Sequence, residues 1–209
     1  TAIGSVIMQS AVNVLGSTAV AAVTAAGKTM SLLTVPLESI GTAMATYAGQ
    51  NLGAARMDRV RKGVNSALII AAIYAVASLI ILHYADITIM GLFLDTSKEV
   101  EIVAMGRQYL FWNSVFFIPL GWLIVWRYTI QGLGFSSLAM LAGVAEMVAR
   151  TAVALALVPL LGYLGAIMAN PAAWVAACLF LYPAYIWTCR QLDNRLLAAK
   201  LHMQSPRAE

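Results

Sequence analysis

Charge is what this sequence has least of. Asp, Glu, Lys and Arg make up 11% of its 209 residues, and hydrophobic residues make up 61%. A soluble domain carries roughly 25% charged and about 45–50% apolar residues. Mean hydropathy is +0.82. This balance excludes a soluble globular enzyme and a disordered chain. It also excludes a nucleic-acid binder that works through basic patches, and the net charge of +4 is modest. Histidine and cysteine are scarce too, with two of each. His83 and His202 fall at a span edge and in the terminal stretch, too far apart to build an intramembrane metal site alone. Cys178 and Cys189 share one apolar segment and read as small packing residues, not as a disulfide framework. HExxH, GxSxG, P-loop and CxxC patterns are all missing, so neither an enzyme nor a cofactor is expected. The apolar runs lack the period-2 alternation of a membrane barrel, which leaves helices as the spanning element.

What the sequence has is a series of long apolar runs. A spanning helix needs about 20 apolar residues, so the chain accommodates roughly five or six spans. Residues 1–27 carry no charge, and the Leu15-Gly16-Ser17-Thr18 break ends a first span near Leu15. The run from Ala19 to Leu52 is too long for one upright span, since ~34 residues at ~1.5 Å each reach about 50 Å. Gly27-Lys28 and Pro36 are the expected sites of a short interfacial helix and a kink. Gly63–Ala85 is a third span. Thr96 and Glu99 have capping-box spacing. A fourth span runs from about Ile102 to Gln131, kinked at Pro119. Ser136 or Ser137 caps a fifth that reaches about Val158. The 39 uncharged residues from Thr151 to Cys189 are split by Pro159–Gly165, and a sixth span ends near Gln191. The reading is a six-helix transmembrane lobe over residues 1–191 and a polar tail over 192–209. Thr1 follows no Met or basic region, so the start lacks the layout of a signal peptide and reads as a helix cut from a longer chain.

Arg56, Arg59, Arg61 and Lys62 fill the connection between the second and third spans, and the tail holds Arg190, Arg195, Lys200 and Arg207. With six spans these fall on one side, which the excess of basic residues makes cytoplasmic. Polar and charged groups within spans are functional candidates by default. Glu146 and Arg150, at i,i+4 on one helix face, are expected either to pair or to form a proton or cation site. Glu38, two residues after Pro36, either lines an aqueous cavity or snorkels. Gln9 and Asn13 share one face, and Asn113 is similar; each either contacts substrate or bonds to a neighbouring helix. Trp112, Trp122 and Trp126 read as packing or interface residues, with room for one as a cavity aromatic for an organic cation.

Four strings resemble the multidrug and toxic compound extrusion (MATE) family. Gly49-Gln-Asn-Leu-Gly-Ala-Ala-Arg56 resembles its GQ-x-x-GA element. Arg127-Tyr-Thr-Ile-Gln-Gly-Leu-Gly134 resembles its QG-x-G element. Gly143-Val-Ala-Glu-Met-Val-Ala-Arg150 resembles its G-x-x-E-x-x-x-R stretch, and Leu161-Gly-Tyr-Leu-Gly-Ala-Ile-Met-Ala169 its link into the last span. They occur in the family's order over nearly the whole chain. The resemblance implies an all-α membrane protein of six transmembrane helices, equivalent to helices seven to twelve of a twelve-helix, two-lobe transporter. It implies a partner N-terminal six-helix lobe, export of organic cations or amphipathic drugs in exchange for H+ or Na+, and a multi-pass protein of a bacterial inner membrane with a cytoplasmic C-terminus. Members that use acids in helices seven and ten would place them near Thr1 and Leu120, and neither is acidic, so the resemblance puts coupling in the other lobe. Two further readings are a lipid-linked oligosaccharide flippase of the same superfamily and a membrane partner subunit without transport of its own. A flippase cavity needs several cationic side chains, and only Arg127 and Arg150 lie within spans.

Overall fold

A computed structural model describes residues 9, 10, 12–91 and 100–204. The Thr96–Glu99 capping box lies outside them, as does most of the first span. Every regular element among the described residues is helical. We number the helices α1 (Ser17–Gly53), α2 (Met57–Met90), α3 (Val100–Val115), α4 (Phe117–Gly132), α5 (Ser136–Leu161), α6 (Tyr163–Ile167) and α7 (Ala169–Gln204). Backbone before α1 is helical at Asn13 and turns at Leu15, where the first span was expected to end. Gly16 then takes φ 99°, a left-handed conformation that glycine adopts without strain.

Where Lys28 and Pro36 were expected to divide the second apolar run, the structure shows one continuous helix of 37 residues. Pro36 removes only its own N–H, which would have served the Leu32 carbonyl. The Tyr74 hydroxyl from α2 donates to the Leu33 carbonyl beside it at 2.8 Å. A neighbouring helix thus supplies a donor where the ladder is weakest. The break in the fourth span does form, but at Phe116. α3 and α4 meet there at 52°, three residues before Pro119. Proline acts on the turn that precedes it, because its ring crowds that turn and Val115 finds no N–H at residue 119. The serines do not cap α5: Phe135 holds the N-cap position, with no side-chain cap bond. The last helix continues past Gln191 to Gln204.

Among the described residues, four helical runs are long and apolar enough to cross a membrane: α1, α2, α5, and α6 with α7. The bent α3–α4 pair makes a fifth if it counts as one span. α4 lies at the centre, against α1, α2, α5 and α7, and α5 packs along α7. Lipid tails are as apolar as leucine, so association within a membrane rests on close packing of small residues. Ala67, Ala71 and Ala75 line the buried face of α2 at four-residue spacing, and Ala173 and Ala177 do the same on α7. The α1–α4 crossing is tighter still. A methyl group on Gly41 would come within 2.7 Å of Ile124 and 2.8 Å of Tyr128, and one on Gly132 would collide with the Ala45 carbonyl.

The ends of the bundle are tied by ion pairs. Arg61 at the start of α2 pairs with Asp193 near the end of α7, so the basic connection and the C-terminal stretch lie at the same end. At the opposite end Arg107 of α3 pairs with Asp86 of α2 at 2.5 Å.

Candidate functional site

The principal concavity of the lobe is a cavity of about 1030 Å³. One wall is a face of α1. Thr24, Ser31 and Glu38 recur along it every seven residues, and so do Lys28, Val35 and Thr42. Seven residues are close to two helical turns, so both rows stay on the same face. The hydroxyls on this wall donate back to their own helix: Thr24 to Val20 at 2.7 Å, Ser31 to Gly27 at 2.9 Å and Thr42 to Glu38 at 3.0 Å. Their protons are thereby used and their oxygen lone pairs remain available. Glu38 is exposed to the cavity. It lies 12 residues, or about 18 Å, along α1 from Gln50, which stands close to the basic connection. Its carboxylate accepts a hydrogen bond of 2.5 Å from the Tyr128 hydroxyl on α4.

The opposite wall comes from both sides of the α3–α4 break and from α7. Tyr109, Asn113 and Phe117 follow one another at four-residue spacing, and Asn170 and Trp174 face them. Asn170 donates to the Tyr109 hydroxyl at 3.1 Å. Phe117 and Trp174 meet edge to face, with centroids 6.3 Å apart. Asn113 is fully buried and donates to the Tyr109 carbonyl at 2.9 Å. Its Oδ1 has no hydrogen-bond partner. Leaving a buried acceptor unpaired costs about 1–3 kcal/mol.

Of the residues singled out from sequence, Gln9, Glu38 and Asn113 line this cavity. Asn13 is exposed and lies outside it, accepting a hydrogen bond from Gln9 at 3.1 Å. Glu146 and Arg150 also lie outside it, and they do not pair with each other. The Glu146 carboxylate is taken by Arg127 of α4. A partner on a facing helix reaches it more directly than one a turn along its own helix. Arg150 makes no ion pair among the described residues, and its buried Nε lacks a hydrogen-bond partner. Trp112, Trp122 and Trp126 do not line the cavity. Its aromatic residues are Tyr109, Phe117 and Trp174. Lys28, Asn170, Trp174 and the hydroxyl rows of α1 were not anticipated. The seven-residue recurrence on α1 was the available signal. Asn170 carried the same signal as Asn113, a polar residue within an apolar run, whereas nothing marks Trp174.

The sequence pattern of the MatE family matches residues 1–156. No curated protein matches the chain. Among solved structures, the chain resembles a MOP superfamily transporter from Pyrococcus furiosus, described as having a binding pocket of reverse polarity that suggests a different function. The TM-score is 0.78 at 19% identity, covering 86% of this chain and 40% of that one. It also resembles a multidrug resistance MATE family transporter of the MOP superfamily in two conformations. The inward-facing form gives 0.77 at 19% identity, and the outward-facing form 0.74 at 20%, each covering 86% of this chain and 41% of that one. The chain therefore spans about 40% of the length of the structures it matches, and its fold is that of one lobe.

Proposed function

Because this chain belongs to the MatE family and is a multi-pass membrane protein, we propose that it forms half of a secondary active multidrug efflux antiporter. It works with a second six-helix lobe. It exports organic cations or amphipathic drugs across a bacterial inner membrane, with its C-terminus in the cytoplasm. The observation that carries this reading is the cavity of about 1030 Å³ with Glu38 on its wall. Its size suits a drug-sized ligand. It combines aromatic surfaces with one carboxylate within a membrane-spanning helix, where an ionisable group marks a substrate or ion path. Arg127 and Arg150, the two span arginines that a lipid-linked sugar flippase would use, both lie away from the cavity.

The resemblance places coupling in the other lobe, but Glu38 gives this lobe a cavity carboxylate of its own, and the proposed coupling is competition for it. The ionised carboxylate attracts an organic cation into the cavity. A proton arriving from outside neutralises it, and the cation leaves. A single carboxylate with one phenol donor suits a proton better than a sodium ion, which requires several oxygen ligands. The lobe resembles an inward-facing and an outward-facing transporter about equally well. This supports two lobes that rock as bodies around a shared site.

The test uses the two-lobe protein in liposomes, loaded with a fluorescent organic cation and subjected to a pH or sodium gradient. A pH gradient is expected to drive efflux, and Glu38→Gln to lower the initial rate at least about tenfold while the protein folds normally. Absence of cation movement under either gradient would overturn the reading. A fully active Glu38→Gln would remove Glu38 from the coupling step.

A further inference from the structure

The unpaired oxygen of Asn113 points to a second determinant in the cavity, one that acts on neutral hydrogen-bonding groups and flat rings as well as charge. The orientation of its amide is fixed. The Tyr109 carbonyl can only accept, so the nitrogen must face it, at 2.9 Å, and Oδ1 is the atom left over. Neighbouring side chains do not fill the vacancy. The Tyr109 hydroxyl accepts from Asn170 at 3.1 Å and makes no bond to Asn113 Oδ1. The nearby Ser114 hydroxyl donates to the Phe111 carbonyl at 2.9 Å. Asn113 belongs to the cavity wall and is fully buried there, so an occupant meets Oδ1 where the neighbouring wall side chains give way to it, and no described side chain competes for that acceptor.

Two features of the surroundings define that occupant. Asn113 stands in the last turn of α3, just before the 52° break. The C-terminal end of a helix carries partial negative charge and favours a cation, and broken helices mark binding sites within membranes. One turn beyond, Phe117 and Trp174 form an edge-to-face pair on the same wall. A flat ring packs against such a pair while its substituent reaches the amide.

We propose that Asn113, with Phe117 and Trp174, forms a recognition subsite for aromatic cations that carry an N–H donor, the Asn113 Oδ1 accepting that hydrogen bond. This rests on the efflux reading and narrows it: two cations of equal charge and ring size are distinguished by whether they can donate.

The experiment compares naphthylmethylammonium with its trimethylated counterpart, which keeps the ring and the charge and has no N–H. Binding of each to the purified full-length protein is measured by calorimetry. Efflux of the trimethylated compound, which cannot cross the bilayer as a neutral species, is measured in liposomes under a pH gradient. Wild type is expected to bind the primary ammonium roughly tenfold more tightly, the scale of one hydrogen bond from a charged donor. Asn113→Leu is expected to abolish that preference and leave affinity for the trimethylated compound within about twofold. Asn113→Asp, which retains an acceptor, is expected to preserve it. If Asn113→Leu is not recovered folded, Asn113→Ala takes its place with the same expected loss. Equal wild-type affinities, or a preference that survives loss of the amide, would overturn the subsite while efflux of the trimethylated compound upheld the transport reading. Absence of both binding and efflux would overturn the two together.

Discussion

Glu146 and Arg127 meet between α5 and α4 with side chains 7% and 19% exposed. Two charges removed from water hold their energy only while both are present. Removing one partner leaves an uncompensated charge in low dielectric, at roughly 3–5 kcal/mol, whereas replacing both with apolar side chains is often near neutral. Glu146→Gln is therefore expected to lower the melting temperature and the folded yield of the full-length protein, and Glu146→Leu with Arg127→Met to recover most of both. Arg150 provides the contrast. It is buried without an ion pair among the described residues, so Arg150→Met is expected to cost far less than Glu146→Gln. Equal losses from Arg150→Met and Glu146→Gln, read from thermal melts of the purified variants, would show that the i,i+4 pair forms after all.

At the scale of elements, the crossing of α1 and α4 explains residues that carry the family resemblance. Gly49 lies one turn before the end of α1, and Gly132 closes α4. A methyl group on Gly49 would approach the Gly132 carbonyl to 3.2 Å, and one on Gly132 would strike the Ala45 backbone. Backbone cannot yield as a side-chain tip can. Gly132→Ala is accordingly expected to destabilise the lobe by about 1–3 kcal/mol through overpacking, measured as loss of monodisperse protein and a lower melting temperature. A Gly132→Ala variant as stable as wild type would mean that the helices separate at little cost. These glycines were legible in the sequence as motif positions, but the contact that requires them was not, because it joins residues 87 positions apart. Helix positions were legible from the apolar runs and their breaks. The continuity of α1 was not: Lys28 and Pro36 signal interruption, and the bond that supports the helix beside Pro36 comes from Tyr74 of α2. Of the cavity, Gln9, Glu38 and Asn113 were legible. Glu38 and Asn113 stand out as polar residues in apolar runs. Trp174 looks like any other large residue of α7 until α3 is placed opposite it.

For the whole molecule, the ion pairs give the bundle two ends that differ in charge. Arg61–Asp193 gathers the basic connection over Arg56–Lys62 and the last turns of α7 at one end. The same connection holds the Arg56–Asp58 pair, in which two hydrogen bonds of 2.9 and 2.8 Å hold the Asp58 carboxyl well below the usual carboxylate range. It therefore remains charged on a protein surface at any physiological pH. Short connections rich in Lys and Arg resist translocation across a membrane, so the proposed topology has this end in the cytoplasm and the Arg107–Asp86 end outside. Cysteines introduced at Arg59 and Gly91, both exposed at opposite ends of α2, report this directly once Cys178 and Cys189 are replaced by alanine. An impermeant maleimide added to intact cells is expected to label Gly91→Cys and to leave Arg59→Cys unmodified until the membrane is opened. The reverse pattern would invert the lobe in the membrane and overturn this topology. Labelling of both from outside would mean that α2, whose 34 residues at ~1.5 Å each make about 50 Å, does not span the bilayer at all.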